Sequence, residues 1–229
     1  MDTAELTPTH TDIRPMFTPT DPRFLTLTQW LSPAFPTGAF AYSHGIEAAI
    51  PDGWITDAES LEDWLQDCLT DGSGRADAIW IRLAFEAEDP KPVDLEARAF
   101  ISSHERLREA ERQGAAFINI VNDVWDLSLS GLLLPVALGH AARRVRLDID
   151  ATVALYLQSF VSNLVSAAMR LAPIGQTAGQ RVVANLTPLC IKVADDTKGA
   201  SAEDIFGNAF LSDISAMRHE TLQARLFQS

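Results

Sequence analysis

The sequence predicts an all-α protein, a single-domain helical bundle of about nine or ten helices over residues 21–229. Three observations support this fold class. Apolar residues recur at helical spacing along most of the chain. The sequence lacks runs that alternate apolar and polar residues, and it lacks Asn-Gly hairpin signals. The 229 residues are 47% hydrophobic, which is enough for one core without disulfide or metal support.

The first half of the chain carries helix starts and stops in a regular order. Asp21-Pro22 is typical of an N-cap followed by proline at the first helical position, and the helix that it opens is expected to stop at Ser32-Pro33. After the loop that follows, a separate short helix is expected through Ile46. Thr56 with Glu59 predicts a capping box. The helices that follow are indicated by apolar stripes over residues 61–69 and 76–87.

The second half continues the pattern with longer helices. After a proline-marked linker, residues 94–112 predict one charged helix, which Gly114 thins or interrupts. Pro135 starts another helix. Asp150 is the expected cap of the longest one, about 151–171, and Thr177 the expected cap of the next. The last helical region is expected to start near residue 201.

Composition narrows the possible partners and the compartment. The net charge of −13 disfavours binding to nucleic acid or to anionic membranes, because phosphate groups are repelled. No leader and no run of 18 apolar residues is evident, so a cytoplasmic protein without a membrane span is expected. Residues 1–20 are polar and proline-containing, and we interpret them as a disordered arm. Cys68 and Cys190 stand among apolar residues, which predicts two buried thiols in a reducing compartment.

Motifs for catalysis are missing from the sequence. Residues 71–75 contain two glycines but no following lysine, so they predict a turn rather than a phosphate-binding loop. None of the five histidines has a second His or Cys at ligand spacing, so no metal site of this chain alone and no cofactor is expected. His44 or His219 helping to hold a metal between subunits stays open as an alternative. The expected protein is therefore not an enzyme.

Two segments look specified for recognition. In the loop before Glu47, prolines fix φ, and glycines permit turns or close approach of the backbone. This loop presents Phe40 and Tyr42, which are either interface anchors or core residues. The final residues of the sequence should fray unless something holds them. Between these segments, residues 170–180 contain two glutamines that a simple helix corner does not explain.

Several segments together resemble the UreF family of urease accessory proteins, and the resemblance covers most of residues 24–229. The matching segments are Ser32–Glu47, Glu111–Gly114, Pro135–Gly139, Arg170–Gln180 and Asp213–Ser229. The resemblance implies an all-helical homodimer that binds a UreD-type scaffold (also called UreH). That pair recruits the GTPase UreG, and the assembly delivers nickel to the urease apoenzyme without chemistry by the UreF protein itself.

With this resemblance, the candidate partner-binding residues are Phe40, Tyr42, His44, Glu47, Arg170, Gln176, Gln180, Arg218, His219 and Arg225. The C-terminal stretch is expected to become ordered on the scaffold. Two alternatives remain. The protein can activate the partner GTPase directly through Arg112 or Arg170, or it can be an unrelated all-α metal-binding protein.

Overall fold

The computed structural model describes residues 21–229, so the N-terminal arm lies outside the described residues. Within that range the chain forms α-helices and two short 3-10 turns, and no strand is present. The helices are α1 (Pro22–Trp30), α2 (Ile46–Ala49), α3 (Ala58–Thr70), α4 (Ser73–Glu86), α5 (Lys91–Phe100), α6 (His104–Trp125), α7 (Leu134–Arg144), α8 (Ile149–Leu171), α9 (Gln176–Asp196) and α10 (Phe210–His219). The 3-10 turns are Ala39–Ala41 and Ala202–Asp204. The predicted all-α fold class is confirmed.

Helices α4 and α8 form the centre of the bundle. Helix α4 packs along α7, α8 packs along α9, and α3 closes against α4 and α9. Gly139 lets α7 approach α4, because a Cβ atom at this position would lie 2.1 Å from the carbonyl oxygen of Ile81. The helix pair therefore depends on a residue without a side chain.

Helix α8 is long and apolar enough to cross a membrane by length and composition alone, and half of its most apolar stretch is buried inside the protein. It packs against α9, α4, α7, α3 and α2. This packing accounts for its apolar character as a core helix.

One of the four predicted helix caps stands at the predicted residue, and the other three stand at different residues. Asp21 caps α1 by accepting a hydrogen bond from the amide of Arg23, as predicted. The N-cap of α3 is Asp57, which forms its capping box with Ser60. Asp148 caps α8, while Asp150 forms an ion pair with Arg82 at 2.8 Å. Gly175, one residue before α9, replaces the predicted Thr177 cap.

The single charged helix predicted over residues 94–112 is wrong. The chain breaks between α5 and α6, because Ser103 leaves the helical conformation and caps α6 through the amide of Arg106. Asp94 turns inward on α5 and accepts a hydrogen bond from the amide of Leu133 at 2.6 Å. Gly114 does not interrupt α6. It is the point where α6 meets the backbone at residues 132–134, and a Cβ there would lie 2.2 Å from the carbonyl oxygen of Leu132.

Both cysteines are buried, as predicted. Burial raises the pKa of Cys68 and of Cys190 to about 11, so neither thiol ionises readily.

Candidate partner-binding site

The last ten residues, 220–229, form a tail that folds back onto the aromatic loop, residues 32–45. The carboxylate of Glu47 accepts hydrogen bonds from the amides of Leu226 at 2.5 Å and Phe227 at 2.8 Å. Ser43 donates from its amide and its hydroxyl to the main-chain oxygen of Ser229, at 2.8 and 2.5 Å. The expectation that this stretch orders only on a partner is therefore wrong for the folded chain, since buried polar groups of its own core hold the tail.

His219 connects the end of α10 to two buried carboxylates. Its Nδ1 lies 2.6 Å from Oε2 of Glu105, and its Nε2 lies 3.1 Å from Oε2 of Glu47. Through these two contacts His219 bridges α2 and α6. Arg225 from the tail also donates to Glu105.

Glu109 on α6 forms the second half of this polar cluster. It accepts hydrogen bonds from Arg106 at 2.6 Å, Gln113 at 2.9 Å and the Ser229 hydroxyl at 2.7 Å, and His44 Nε2 lies 2.7 Å away. Burial alone would raise the pKa of Glu109, but the Arg106 charge and its hydrogen-bond donors lower it to about 2. The carboxylate is therefore ionised and fully used inside the protein.

Two more of these groups have pKa values that follow from their surroundings. Burial tends to raise the pKa of Glu47, but the tail amides and His219 bring it below its ordinary value. Burial lowers the pKa of His44, and the nearby Arg106 charge lowers it further. Neutral His44 can donate its Nε2 proton to Glu109. Glu47 and Glu109 thus both accept hydrogen bonds from residues of the tail, and these bonds hold the tail against the rest of the protein.

The aromatic loop also meets α10 directly. The Ser215 hydroxyl donates to the carbonyl oxygen of Gly45 at 2.7 Å. Gly45 has a φ of 82°, and a Cβ there would lie 2.6 Å from the amide nitrogen of Ala216. Only glycine combines that backbone conformation with that close approach.

On the protein surface, Arg170 joins the aromatic loop to the tail. Its guanidinium donates to the carbonyl oxygen of Phe40 at 2.6 Å and lies 4.3 Å from the ring centroid of Phe227. Arg112 donates to the side chain of Gln228 at 2.6 Å. This junction surface, formed by Phe40, Arg112, Arg170, Arg225 and Leu226, is exposed.

The structure separates the candidate partner-binding residues into surface and interior groups. Phe40 is 63% exposed, and Arg170, Gln176, Gln180, Arg218 and Arg225 are also on the surface. Tyr42, Glu47 and His219 are buried, and only 13% of the His44 side chain is exposed. The buried four are therefore not directly available to a partner. Of the two alternatives left open by the sequence, Tyr42 is a core residue and Phe40 is a surface residue.

The remaining surface candidates differ in their contacts. Arg218 forms an ion pair with Asp52 at 2.9 Å and lies over the ring of Trp54. The side chains of Gln176 and Gln180 are exposed on the first turns of α9. Neither glutamine side chain forms a hydrogen bond within residues 21–229, so neither belongs to the tail cluster.

Sequence reasoning missed an apolar surface on α10. Phe210, Leu211, Ile214 and Met217 are between 44% and 64% exposed. Their spacing of 1, 3 and 3 residues places them on one side of the helix, so the sequence pattern alone could have predicted this apolar face. Reasoning from the sequence also missed Glu105 and Glu109, because the partners that join them to the C-terminal segment, His219 and Ser229, lie more than 100 residues away. Across residues 21–229, no group of three His, Cys, Asp or Glu side chains is placed to hold a metal ion.

Comparison with known proteins identifies the family. The UreF family model matches residues 55–187. The urease accessory protein UreF of Ruegeria pomeroyi is 44% identical over 93% of this chain and 100% of its own length. The proteins of the same name from Roseobacter denitrificans and from Cereibacter sphaeroides strain KD131 are 47% and 48% identical over 90% of this chain, and over 94% and 98% of their own lengths. These matches exclude the alternative of an unrelated metal-binding protein. The chain belongs to the UreF family of urease accessory proteins.

Proposed function

We propose that this protein is a non-catalytic adaptor in the insertion of nickel into urease. As a cytoplasmic homodimer it binds a scaffold of the UreD/UreH type, and the pair recruits the GTPase UreG. The assembly couples GTP hydrolysis to delivery of nickel to the urease apoenzyme. Family membership supports the accessory role, and the exposed apolar face of α10 is the observation that supports an adaptor.

The α10 face has the character of a protein-binding surface. It consists of Phe210, Leu211, Ile214 and Met217, and large apolar side chains grouped in this way are typical of interaction sites. Asp67 lies beside Phe210 and Leu211 at a shallow pocket. Burial and the neighbouring carboxylates of Asp71 and Asp63 raise the pKa of Asp67. Three acidic side chains therefore lie at this edge of the α10 face. The scaffold surface that fits is therefore apolar with basic residues at its edge.

One pair of variants tests this assignment. Ile214→Asp puts a charge in the centre of the α10 face, whereas Ile191→Asp puts the same charge on an exposed isoleucine of α9. We expect Ile214→Asp to abolish the complex with the UreD/UreH-type scaffold in size-exclusion chromatography with light scattering. Ile191→Asp should bind as the wild type does. Normal assembly by a folded Ile214→Asp protein would reject α10 as the scaffold site.

The junction surface is the proposed contact for the GTPase. The chain carries a net charge of −13, yet Arg112, Arg170 and Arg225 gather there beside the exposed Phe40 and Leu226. Such a surface favours an acidic partner with an apolar socket. Because the tail and the aromatic loop are held by the same buried glutamates that meet α10, the two proposed surfaces lie on one rigid unit.

Phe40→Ala tests the GTPase contact, with Leu25→Ala as a control at another exposed apolar residue. The Phe40 variant should still bind the scaffold, but the pair should no longer retain GTP-loaded UreG on a column. Equal retention of UreG by both variants would contradict this placement.

The structure disfavours direct entry of an arginine into the GTPase site. Arg170 is already bound to Phe40 and Phe227, and Arg112 is bound to Gln228. A catalytic arginine must reach the γ-phosphate region with a free guanidinium. We therefore favour positioning of the GTPase over direct stimulation. The GTP turnover of UreG with Arg112→Ala or Arg170→Ala in the complex distinguishes these roles.

A further inference from the structure

A cavity of about 390 Å³ lies beneath the aromatic loop, between α1, α4, α6, α7 and α8. Its apolar walls are formed by Trp30, Phe35, Trp80, Phe117, Leu138 and Phe160. Apolar cavities of about 150 Å³ admit benzene, and small-molecule pockets span about 300–1,000 Å³. This cavity therefore has room for an organic molecule somewhat larger than a single ring.

One side of the cavity is polar. Tyr156 donates from its hydroxyl to Oδ2 of Asp77 at 2.6 Å, and Arg106 donates to Glu109 at 2.6 Å. Within residues 21–229, these are the only side-chain hydrogen bonds of Asp77 and Arg106. The second oxygen of Asp77 and the remaining N–H groups of Arg106 therefore have no protein partner, and both side chains line the cavity.

The charges on this side restrict the class of ligand. A cation would meet the Arg106 guanidinium, and an anion would meet Glu109, which is ionised, and Asp77. An uncharged group that both donates and accepts hydrogen bonds satisfies Asp77 and Arg106 at once. A carboxamide has this pattern in one plane, and an attached apolar ring would lie against the aromatic walls.

We propose that this cavity is a binding site for a small uncharged organic molecule, with an apolar ring and a carboxamide-like group that donates to Asp77 and accepts from Arg106. The lining includes exposed residues at two places, Pro33 with Phe40 and Ser102 with Gly207, so entry does not require unfolding. The site goes beyond the adaptor function, and its test does not depend on any protein partner.

The first test compares four probes of similar shape by isothermal titration calorimetry with the full chain at pH 7.5. The probes are benzamide, acetophenone, benzoate and benzylamine. Benzamide should bind at least about tenfold more tightly than acetophenone, because acetophenone cannot donate to the Asp77 carboxylate. Both charged probes should bind more weakly than benzamide. Absence of saturable benzamide binding, or equal affinity for all four probes, would overturn the proposal.

Variants locate the binding site. Ala110 lines the cavity from α6, and Ala115 is exposed on the same helix outside the cavity. Ala110→Leu fills part of the cavity and should reduce benzamide affinity at least about tenfold, while Ala115→Leu should leave it unchanged. Unchanged affinity in Ala110→Leu would overturn the site.

Asp77→Asn gives a second measurement that does not change the cavity volume. The Asn side-chain oxygen can still accept from Tyr156, so the fold should persist. The preference for benzamide over acetophenone should fall to about threefold or less, because the carboxylate acceptor is lost. A preference equal to that of the wild type would remove Asp77 from the proposed site.

Discussion

Replacing Asp77 by Asn should stabilise the protein at neutral pH but not at acidic pH. Burial raises the pKa of Asp77 to about 6 from an ordinary value of 3.8, although the Tyr156 hydroxyl and the Arg106 charge act in the opposite direction. The folded state therefore favours the protonated carboxyl. The favourable contribution of that protonated form is complete below pH 3.8 and is lost as the pH rises towards 6.

The magnitude follows from the difference between the folded and unfolded pKa values. About two pKa units correspond to a free energy of about 3 kcal/mol, accumulated at about 1.4 kcal/mol per pH unit. Asp77→Asn removes this ionisation and can keep the hydrogen bond from Tyr156. Its stability relative to the wild type should therefore rise by about 3 kcal/mol between pH 4 and pH 7 and change little above that.

Urea unfolding at several values between pH 4 and pH 8 measures this difference. Asp123→Asn, on the exposed side of α6, serves as a control for the loss of one surface carboxylate. The reasoning fails if the gap between Asp77→Asn and the wild type stays constant over the whole pH range. It also fails if Asp123→Asn shows the same pH dependence as Asp77→Asn.

Two further predictions concern the tail cluster and the helix packing. His219→Ala leaves two buried carboxylates without their shared donor and should reduce the free energy of unfolding by about 3–5 kcal/mol, whereas the neighbouring exposed Arg218→Ala should cost less than about 1 kcal/mol; similar urea midpoints for the two variants would contradict this. Gly139→Ala places a methyl group 2.1 Å from a carbonyl oxygen of α4 and should cost at least about 3 kcal/mol. Gly175→Ala, where nothing lies within 4 Å, is its control in thermal unfolding, and an equal loss at both positions would argue against the close packing of α4 and α7.

The sequence predicted the fold class because local patterns determine most of it. The apolar stripe from Leu61 to Leu69 is buried along α3, as its spacing required. The break between α5 and α6 was missed because charged residues continue at helical spacing on both sides of it. At the break itself, Ser103 caps α6, and the neighbouring Ser102 and His104 form hydrogen bonds with Asp213 and Glu220, which are more than 100 residues away.

The tail cluster was less predictable, since its partners are far apart in sequence. Glu47 and Phe227 are 180 residues apart, and His219 reaches Glu105 across 114. Nothing in the local pattern of these segments says that they meet. Phe40 and Tyr42 show the same limit, because two aromatic residues on one short loop ended on opposite sides of the boundary between surface and core.

The folded tail changes how partner binding should be tested. Deletion of residues 219–229 would be the simplest test of whether the C-terminal stretch binds a partner. In the structure that deletion removes a fully buried histidine, and it takes away hydrogen-bond donors from Glu47, Glu105 and Glu109. Buried carboxylates without donors are costly, so the truncated chain should lose stability whether or not the tail touches a partner. Loss of scaffold binding in that truncation would therefore not identify an interface. Ile214→Asp avoids this ambiguity, because its side chain lies on an exposed face and its replacement leaves every buried glutamate with its partners.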